Sequence, residues 1–336
     1  MSTNVSTAGR ASGIIARARR FAPAPRYTSL VATLVLLVVF FAIGSGRYRN
    51  FASGQVVLNL FIDNAFLIVL AVGMTFVILT GGIDLSVGSV VALSTMMAAS
   101  LAQAGWPPLV ILFLVLLVGS TIGLLSGLVI HYFKIQPFIA TLAAMFLARG
   151  LCYVISLDSI PITDPFFTAL AKRIVLAPKL SITPSVLVAL LVVIIAFIVL
   201  HYTRTGRTVY AIGGGEYSGV LMGLAVSRTK VLVYVISGFC SAVAGILFSL
   251  YTLSGYGRTG IGLELDAIAA VVIGGTLLAG GSGFVIGSVL GVLLLGVIQT
   301  IISFEGTLSS WWTRIVIGGL LLVFILLQKV LTLRRR

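Results

Sequence analysis

Apolar residues fill ten long stretches of this chain, and the polar residues gather almost wholly between them. The stretches are 27–44, 55–80, 86–103, 109–132, 137–156, 184–202, 231–253, 264–279, 284–304 and 312–331. About 20 helical residues cross the hydrocarbon layer of a bilayer, and lipid offers a bare backbone no hydrogen-bond partner. Each stretch therefore predicts a transmembrane helix. The expected fold class is all-α: a polytopic membrane protein of about ten transmembrane helices, some of them short or broken. Residues 1–26, with five arginines among Ser, Ala and Pro, predict a disordered basic tail ahead of a membrane domain at 27–333. The sizeable polar segments inside that domain are 157–183 on one side and 203–230 on the other.

Residues 74–92, MTFVILTGGIDLSVGSVVA, predict a helix, a break and a second helix. The first run stops at Gly81-Gly82, Asp84 and Ser86 follow, and the second run begins at once. A broken backbone at membrane depth has to be covered by protein. Glycine permits the close approach this requires, and Asp84 or Ser86 can cap the free N–H groups of the next helix. Two readings of Asp84 stand here, a helix cap and a contact for a solute. GGSGFVIGSV at 280–289 repeats the Gly-Gly and Gly-Ser-Val of GGIDLSVGSV at 81–90, and Gly274-Gly275 interrupts the apolar run before it. Glycine-interrupted segments in corresponding places of two halves point to a transport pathway, with Gly81, Gly82, Asp84, Ser86, Gly274, Gly275, Gly280 and Gly281 as candidate gate positions. Chance similarity between glycine-rich membrane segments is the competing reading.

Only 9% of residues are charged and 59% are hydrophobic, which excludes an ordinary soluble domain. The net charge of +14 would suggest nucleic acid in a soluble protein. Here the basic residues punctuate apolar runs, so they report topology and contact with anionic lipid. Fourteen of the 22 lie in the two termini, at Lys134 and in 203–230, against seven on the opposite side. By the positive-inside rule both termini and 203–230 are expected in the cytoplasm, and 157–183 outside. Trp106, Trp311 and Trp312 fall at expected outer boundaries, where interfacial aromatics belong.

No Gly-Lys dipeptide occurs, so no nucleotide-hydrolysing P-loop is expected in this chain, and there is no HExxH or G-x-S-x-G pattern. Cys152 and Cys240 lie within apolar runs and read as packing, and two histidines are too few for a metal cluster. The chain is expected to be non-catalytic, with no metal and no cofactor of its own. Asp63, Asn64 and Arg149 are costly in lipid and should face the bundle interior or water. With Phe76 and Gln299 they are the candidate solute path, although a structural pair or interhelical hydrogen bonding explains them equally well. Glu264 and Asp266 suit a helix N-terminus. With Glu305 they are also candidates for contact with an outside protein. In 203–230, Gly213, Gly214 and Gly215 precede Glu216, which opens a short helical run through Ser218, Gly219 and Gly223. Such a helix can dock in a partner's groove, or the segment can be a solvated basic loop.

These segments resemble the permease subunits of bacterial sugar importers of the ABC type, the ribose/xylose/arabinose group. The resemblance rests on GMTFVILTGGIDLSVGSVVAL at 73–93, IQPFIATLAAMFLARGL at 135–151, GRTVYAIGGGEYSGVLMGL at 206–224 and ELDAIAAVVIGGTLLAGGSGFVIGSVLG at 264–291. Residues 62–89, IDNAFLIVLAVGMTFVILTGGIDLSVGS, and 304–315, FEGTLSSWWTRI, look most like one permease of a galactofuranose importer. The resemblance implies a second permease chain, a cytoplasmic ATP-binding subunit that holds ATP and Mg, and a periplasmic sugar-binding protein, all at the bacterial inner membrane. It also implies that 210–224 is the coupling segment. The family usually has Gly-Gly-Asn and then Ala-Ala there, whereas this chain has Gly215 and Ser218-Gly219. The rival class is an ion-coupled carrier or facilitator, for which Asp63 is the candidate coupling group.

Overall fold

The computed structural model describes residues 28–307 and 311–333, so the expected basic tail at 1–26 lies outside the described residues. Helices dominate: α1 (Thr28–Arg47), α2 (Gly54–Leu79), α3 (Val87–Gln103), α4 (Pro108–Tyr132), α5 (Pro137–Ile155), α6 (Pro165–Ala171), α7 (Pro184–Tyr202), α8 (Arg204–Gly214), α9 (Glu216–Leu221), α10 (Val226–Thr252), α11 (Leu263–Ile273), α12 (Val285–Glu305) and α13 (Trp311–Leu333). Seven of them, α1, α2, α4, α5, α7, α10 and α12, are long and apolar enough to cross a membrane. Helix α3 and the stretch Trp311–Leu326 of α13 are shorter apolar helices.

Three expectations change. The run at 264–279 is not one spanning helix: α11 stops at Ile273. Its 11 residues reach about 16 Å, roughly half the apolar thickness of a bilayer. The segment 203–230 is not a loop either, since it holds α8, α9 and the first turn of α10. The Thr203 hydroxyl accepts the Gly206 N–H at 3.2 Å and starts α8 as its N-cap. Finally, the all-α expectation omits two small antiparallel pairs. Strand β1 (Ile160–Pro161) pairs with β4 (Ser254–Gly255), and β2 (Ile174–Ala177) pairs with β3 (Leu180–Ile182). The first pair fastens the 157–183 insertion to the end of α10, helped by the Ile162 N–H donating to the Leu253 carbonyl at 2.8 Å.

Helix α2 is the axis of the bundle, and its second half, Leu67–Leu79, is buried throughout. It packs on α7, α10, α11 and α12. Lipid is as apolar as these side chains, so tight van der Waals fit does the work that water exclusion does in a soluble core. The α4–α10 contact shows how. Gly119, Gly123 and Gly127 recur every four residues and present one bare stripe of α4. A Cβ on Gly123 would collide with the Tyr234 carbonyl, and one on Gly127 would lie 3.0 Å from the Val231 Cα.

Candidate functional site

Helix α2 ends in a Schellman motif. The Gly81 N–H donates to Ile78 at 2.9 Å and the Gly82 N–H to Val77 at 3.1 Å, with Gly81 left-handed at φ +78°. Helix α11 ends the same way: the Gly275 N–H donates to Val272 at 3.0 Å and the Thr276 N–H to Val271 at 3.1 Å, with Gly275 at φ +97°. The next helices open at Val87 and Val285, one residue from the register of the sequence echo. The two halves therefore build the same stop-and-restart. They differ in the connection, which is 80–86 after α2 and the longer 274–284 after α11.

These two breaks meet each other and the end of α8. The Gly281 N–H donates to the Leu79 carbonyl at 2.9 Å. A Cβ on Gly280 would lie 2.8 Å from the Gly81 nitrogen and 3.0 Å from the Gly213 Cα. A Cβ on Gly213 would collide with the Leu79 carbonyl oxygen and the Gly281 nitrogen. Three glycine segments far apart in sequence thus share one backbone junction that admits no side chain. Tyr210 of α8 reinforces it by donating its hydroxyl to the Gly283 carbonyl at 2.8 Å. Burial pushes that hydroxyl above the usual tyrosine range, so it stays a donor.

Asp84 is buried beside this junction and does not cap the free N–H groups deeper in α3. One carboxylate oxygen accepts the Ser86 N–H at 3.0 Å and the Ser86 hydroxyl at 2.6 Å. The other accepts the Ser237 hydroxyl of α10 at 2.7 Å. It ties the break to α10, a role the sequence reading did not name. Ser86 spends its hydroxyl on Asp84 and leaves α3 without a side-chain cap.

Beyond the junction, α8 turns at Gly215 into α9. Gly214 and Gly215 meet no close neighbour that a Cβ would strike. Lys230 of α10 donates to both carboxylate oxygens of Glu216 at 3.0 and 2.9 Å, which pins α9 to α10. A third Schellman motif closes α9, from Gly223 to Val220 at 3.0 Å and Leu224 to Gly219 at 3.1 Å, with Gly223 at φ +71°. The turn leaves a row of apolar side chains facing outward: Tyr217, Val220, Leu221 and Met222 are 77%, 55%, 71% and 66% exposed. The sequence reading placed the segment but named its glycines and Glu216, not these apolar residues.

Toward the opposite end, a cavity of about 560 Å³ opens between α2, α10, α11 and α12, lined in part by Asp63, Asn64, Asp266 and Gln299. A second of about 390 Å³ adjoins it along α13 and shares Asn64, Asp266 and Gln299. Of the candidate path residues, Asp63, Asn64 and Gln299 line this one cavity, and Phe76 and Arg149 do not. Phe76 is buried in the main core. Arg149 donates to the Gly257 and Thr259 carbonyls, each at 2.7 Å, and anchors the segment that leads into α11.

The three expected outside contacts also separate. Glu264 packs against Gly88 in the first turn of α3, and Asp266 lines the cavity. Glu305 is engaged within the chain by Arg47 at 3.1 Å and by the Tyr48 hydroxyl. Among the described residues no group of three or more His, Cys, Asp or Glu could hold a metal ion.

The family described as the permease component of branched-chain amino acid transport systems matches residues 56–325. The chain is 47% identical to an inner membrane ABC transporter permease protein, YjfF, of Escherichia coli strain K12, over 91% of this chain and 93% of that protein. It is 44% identical to the fructose import permease protein FruG of Bifidobacterium longum, over 89% of this chain and 90% of that one. The ribose import permease protein RbsC of Escherichia coli strain K12 is 37% identical over 88% of this chain and 92% of its own length. No solved structure matches the chain.

Proposed function

Since the chain belongs to the family of transport-system permease components, we propose that it forms the membrane path of an ATP-driven sugar importer in the inner membrane. ATP and Mg are held by a separate subunit, and a sugar-binding protein delivers the solute from outside. A second permease chain completes the path. Both termini and the α8–α9 segment lie in the cytoplasm, the insertion at 157–183 lies outside, and α11 with 274–284 makes up one broken crossing of ten. The sugar is galactofuranose or a related pentose or hexose. Support for the sugar class comes from relatives named for fructose and ribose, and for galactofuranose from the resemblance of residues 62–89 and 304–315.

The observation that carries this reading is the junction of Leu79, Gly213 and Gly280-Gly281. The exposed row Tyr217–Met222 is a surface for the ATP-binding subunit, and α8 joins that surface directly to both helix breaks. Closure of the ATP-binding subunits moves α8–α9, and the shared backbone contacts carry the motion to α2 and α11. Alternating access then needs no catalytic group in this chain.

The test is purification from native membranes with identification of the co-purifying chains, followed by sugar uptake into vesicles of the whole complex. An ATP-binding subunit must accompany the chain, and uptake must require ATP. A chain that purifies alone and transports on an ion gradient overturns the reading in favour of a secondary carrier.

A further inference from the structure

We infer that the groove between α4 and α5 holds an acyl chain of one anionic phospholipid, whose phosphate rests against Lys134 in the link between the two helices. The groove has a volume of about 290 Å³ and is lined by apolar side chains of both helices. Ile135 of the link and Leu147 of α5 are the lining residues farthest apart along this wall, and Ser126 is the single polar member. It lies at the α8 end of the bundle, because Thr141 of α5 is buried with its hydroxyl 3.4 Å from the Ile83 carbonyl of the first break. From Ile139 to Leu147 the α5 wall rises about 12 Å, close to the ~15 Å apolar depth of one leaflet. Leu125, Ile139 and Leu147 are exposed along it, so the groove opens sideways toward lipid.

Plain contact with hydrocarbon does not account for Ser126. Its hydroxyl is buried in the groove wall and has no hydrogen-bond partner in the chain. Hydroxyls in membrane helices commonly donate to the carbonyl one turn back, as Ser94 and Thr121 do here at 2.7 Å. An unpaired hydroxyl in an apolar setting is costly. Ser126 stands six residues before the end of α4. That places it about 9 Å in from a helix end at the headgroup level, and the headgroup layer is itself about 5–8 Å deep. Glycerol ester carbonyls lie at this boundary, and such a carbonyl accepts the Ser126 hydroxyl.

The mouth of the groove selects the headgroup. Lys134 directly precedes Ile135, is exposed, and among the described residues pairs with no carboxylate. No Asp or Glu occurs between Asp84 and Asp158, so α3, α4, α5 and their links bring no acid to it. Helix α5 opens without a side-chain cap, which leaves its first-turn N–H groups to a phosphate oxygen. Tyr132 and Phe133 are exposed beside Lys134, in the place of interfacial aromatics. A basic residue at the mouth of a groove between membrane helices suits an anionic lipid headgroup. Free phosphate would meet Lys134 but leave the groove and Ser126 without an occupant.

The site is tested on the complete complex, purified in detergent and weighed by native mass spectrometry with phosphatidylglycerol or phosphatidylcholine added. Wild type is expected to retain phosphatidylglycerol in preference to phosphatidylcholine. Lys134→Gln should weaken retention of phosphatidylglycerol about fivefold, the effect of one basic residue at an anionic surface, and leave phosphatidylcholine unchanged. Ser126→Ala should weaken retention of both lipids. Ala143→Phe, at an exposed groove residue, should fill the groove and remove this one lipid while the complex stays assembled. Equal retention of the two lipids by wild type overturns the site, as does any of the three variants that retains phosphatidylglycerol like the wild type. Ala143→Cys in native membranes separates lipid from protein cover, against a background of two buried cysteines. Labelling by a membrane-soluble maleimide supports the lipid, whereas a cross-link to a neighbouring chain overturns it in favour of a protein interface.

Discussion

The Leu79 carbonyl, at the last turn of α2, accepts the Gly281 N–H at 2.9 Å, and Gly213 of α8 packs against both residues. One hydrogen bond thus spans the two helix breaks, and the helix leading to the exposed α9 surface lies against it. In a packed core such contacts switch between discrete arrangements and do not stretch, which suits a coupling element.

Gly213→Val should uncouple this junction. The new side chain collides with backbone on two segments, which cannot rotate aside as a flexible side chain would. ATP-driven uptake should fall more than tenfold while the chain still reaches the membrane, as measured by transport per mole of assembled complex. Uptake near the wild-type rate would show that the close approach is not needed.

Glu216→Lys should abolish transport. Exposed ion pairs contribute about 0–1 kcal/mol, so the loss cannot come from unfolding. The double variant Glu216→Lys with Lys230→Glu restores an ion pair between α9 and α10. Recovery of uptake in the double variant would assign Glu216 to bracing α9. Continued loss would assign it to direct contact with the ATP-binding subunit.

Arg149→Met should destabilise the approach to α11. It leaves the Gly257 and Thr259 carbonyls without their donor, at about 1–3 kcal/mol for each buried unsatisfied group. Thermal unfolding in detergent should shift down by several degrees, whereas Arg149→Lys should recover part of the shift. An unchanged midpoint for Arg149→Met would mean that water replaces the guanidinium.

Asp84→Ala should loosen the break without touching the cavity. It removes the acceptor for two serine hydroxyls, including Ser237 of α10. The expected result is lower thermal stability and a lower maximal rate, with the concentration of sugar-loaded binding protein at half-maximal uptake unchanged. A large change in that concentration would place Asp84 on the solute path instead.

Most of this was legible from residue types. Ten apolar runs and their Gly-Gly breaks follow from what lipid forbids; α2 ends at Gly81-Gly82 as the echo has it, whereas α11 ends at Gly274-Gly275, ahead of the echo's Gly280-Gly281. The helix at Arg204–Gly214 was not legible. Three basic or glycine positions in its first turn read as loop, while its stability comes from packing against α7 and the breaks. The end of α11 was legible in part: Gly274-Gly275 marks the interruption in the apolar run, and the Schellman turn at Gly275 stops the helix there. Arg149 looked like a path residue because an intramembrane cation is costly. Which carbonyls accept from it depends on the 253–262 segment folding inward, and no local pattern encodes that. The cavity assembles residues from five helices, so its members could be suspected one by one but not grouped.

The central claim is tested most directly by cross-linking from Leu221→Cys, a change on the exposed row of α9 in a chain whose own cysteines are buried. In native membranes a short bifunctional thiol reagent should join this position to the ATP-binding subunit, with a yield that changes when ATP is added. Labelling of Leu221→Cys from the outer side of the membrane, or no cross-link in a complex that still transports, would contradict the account.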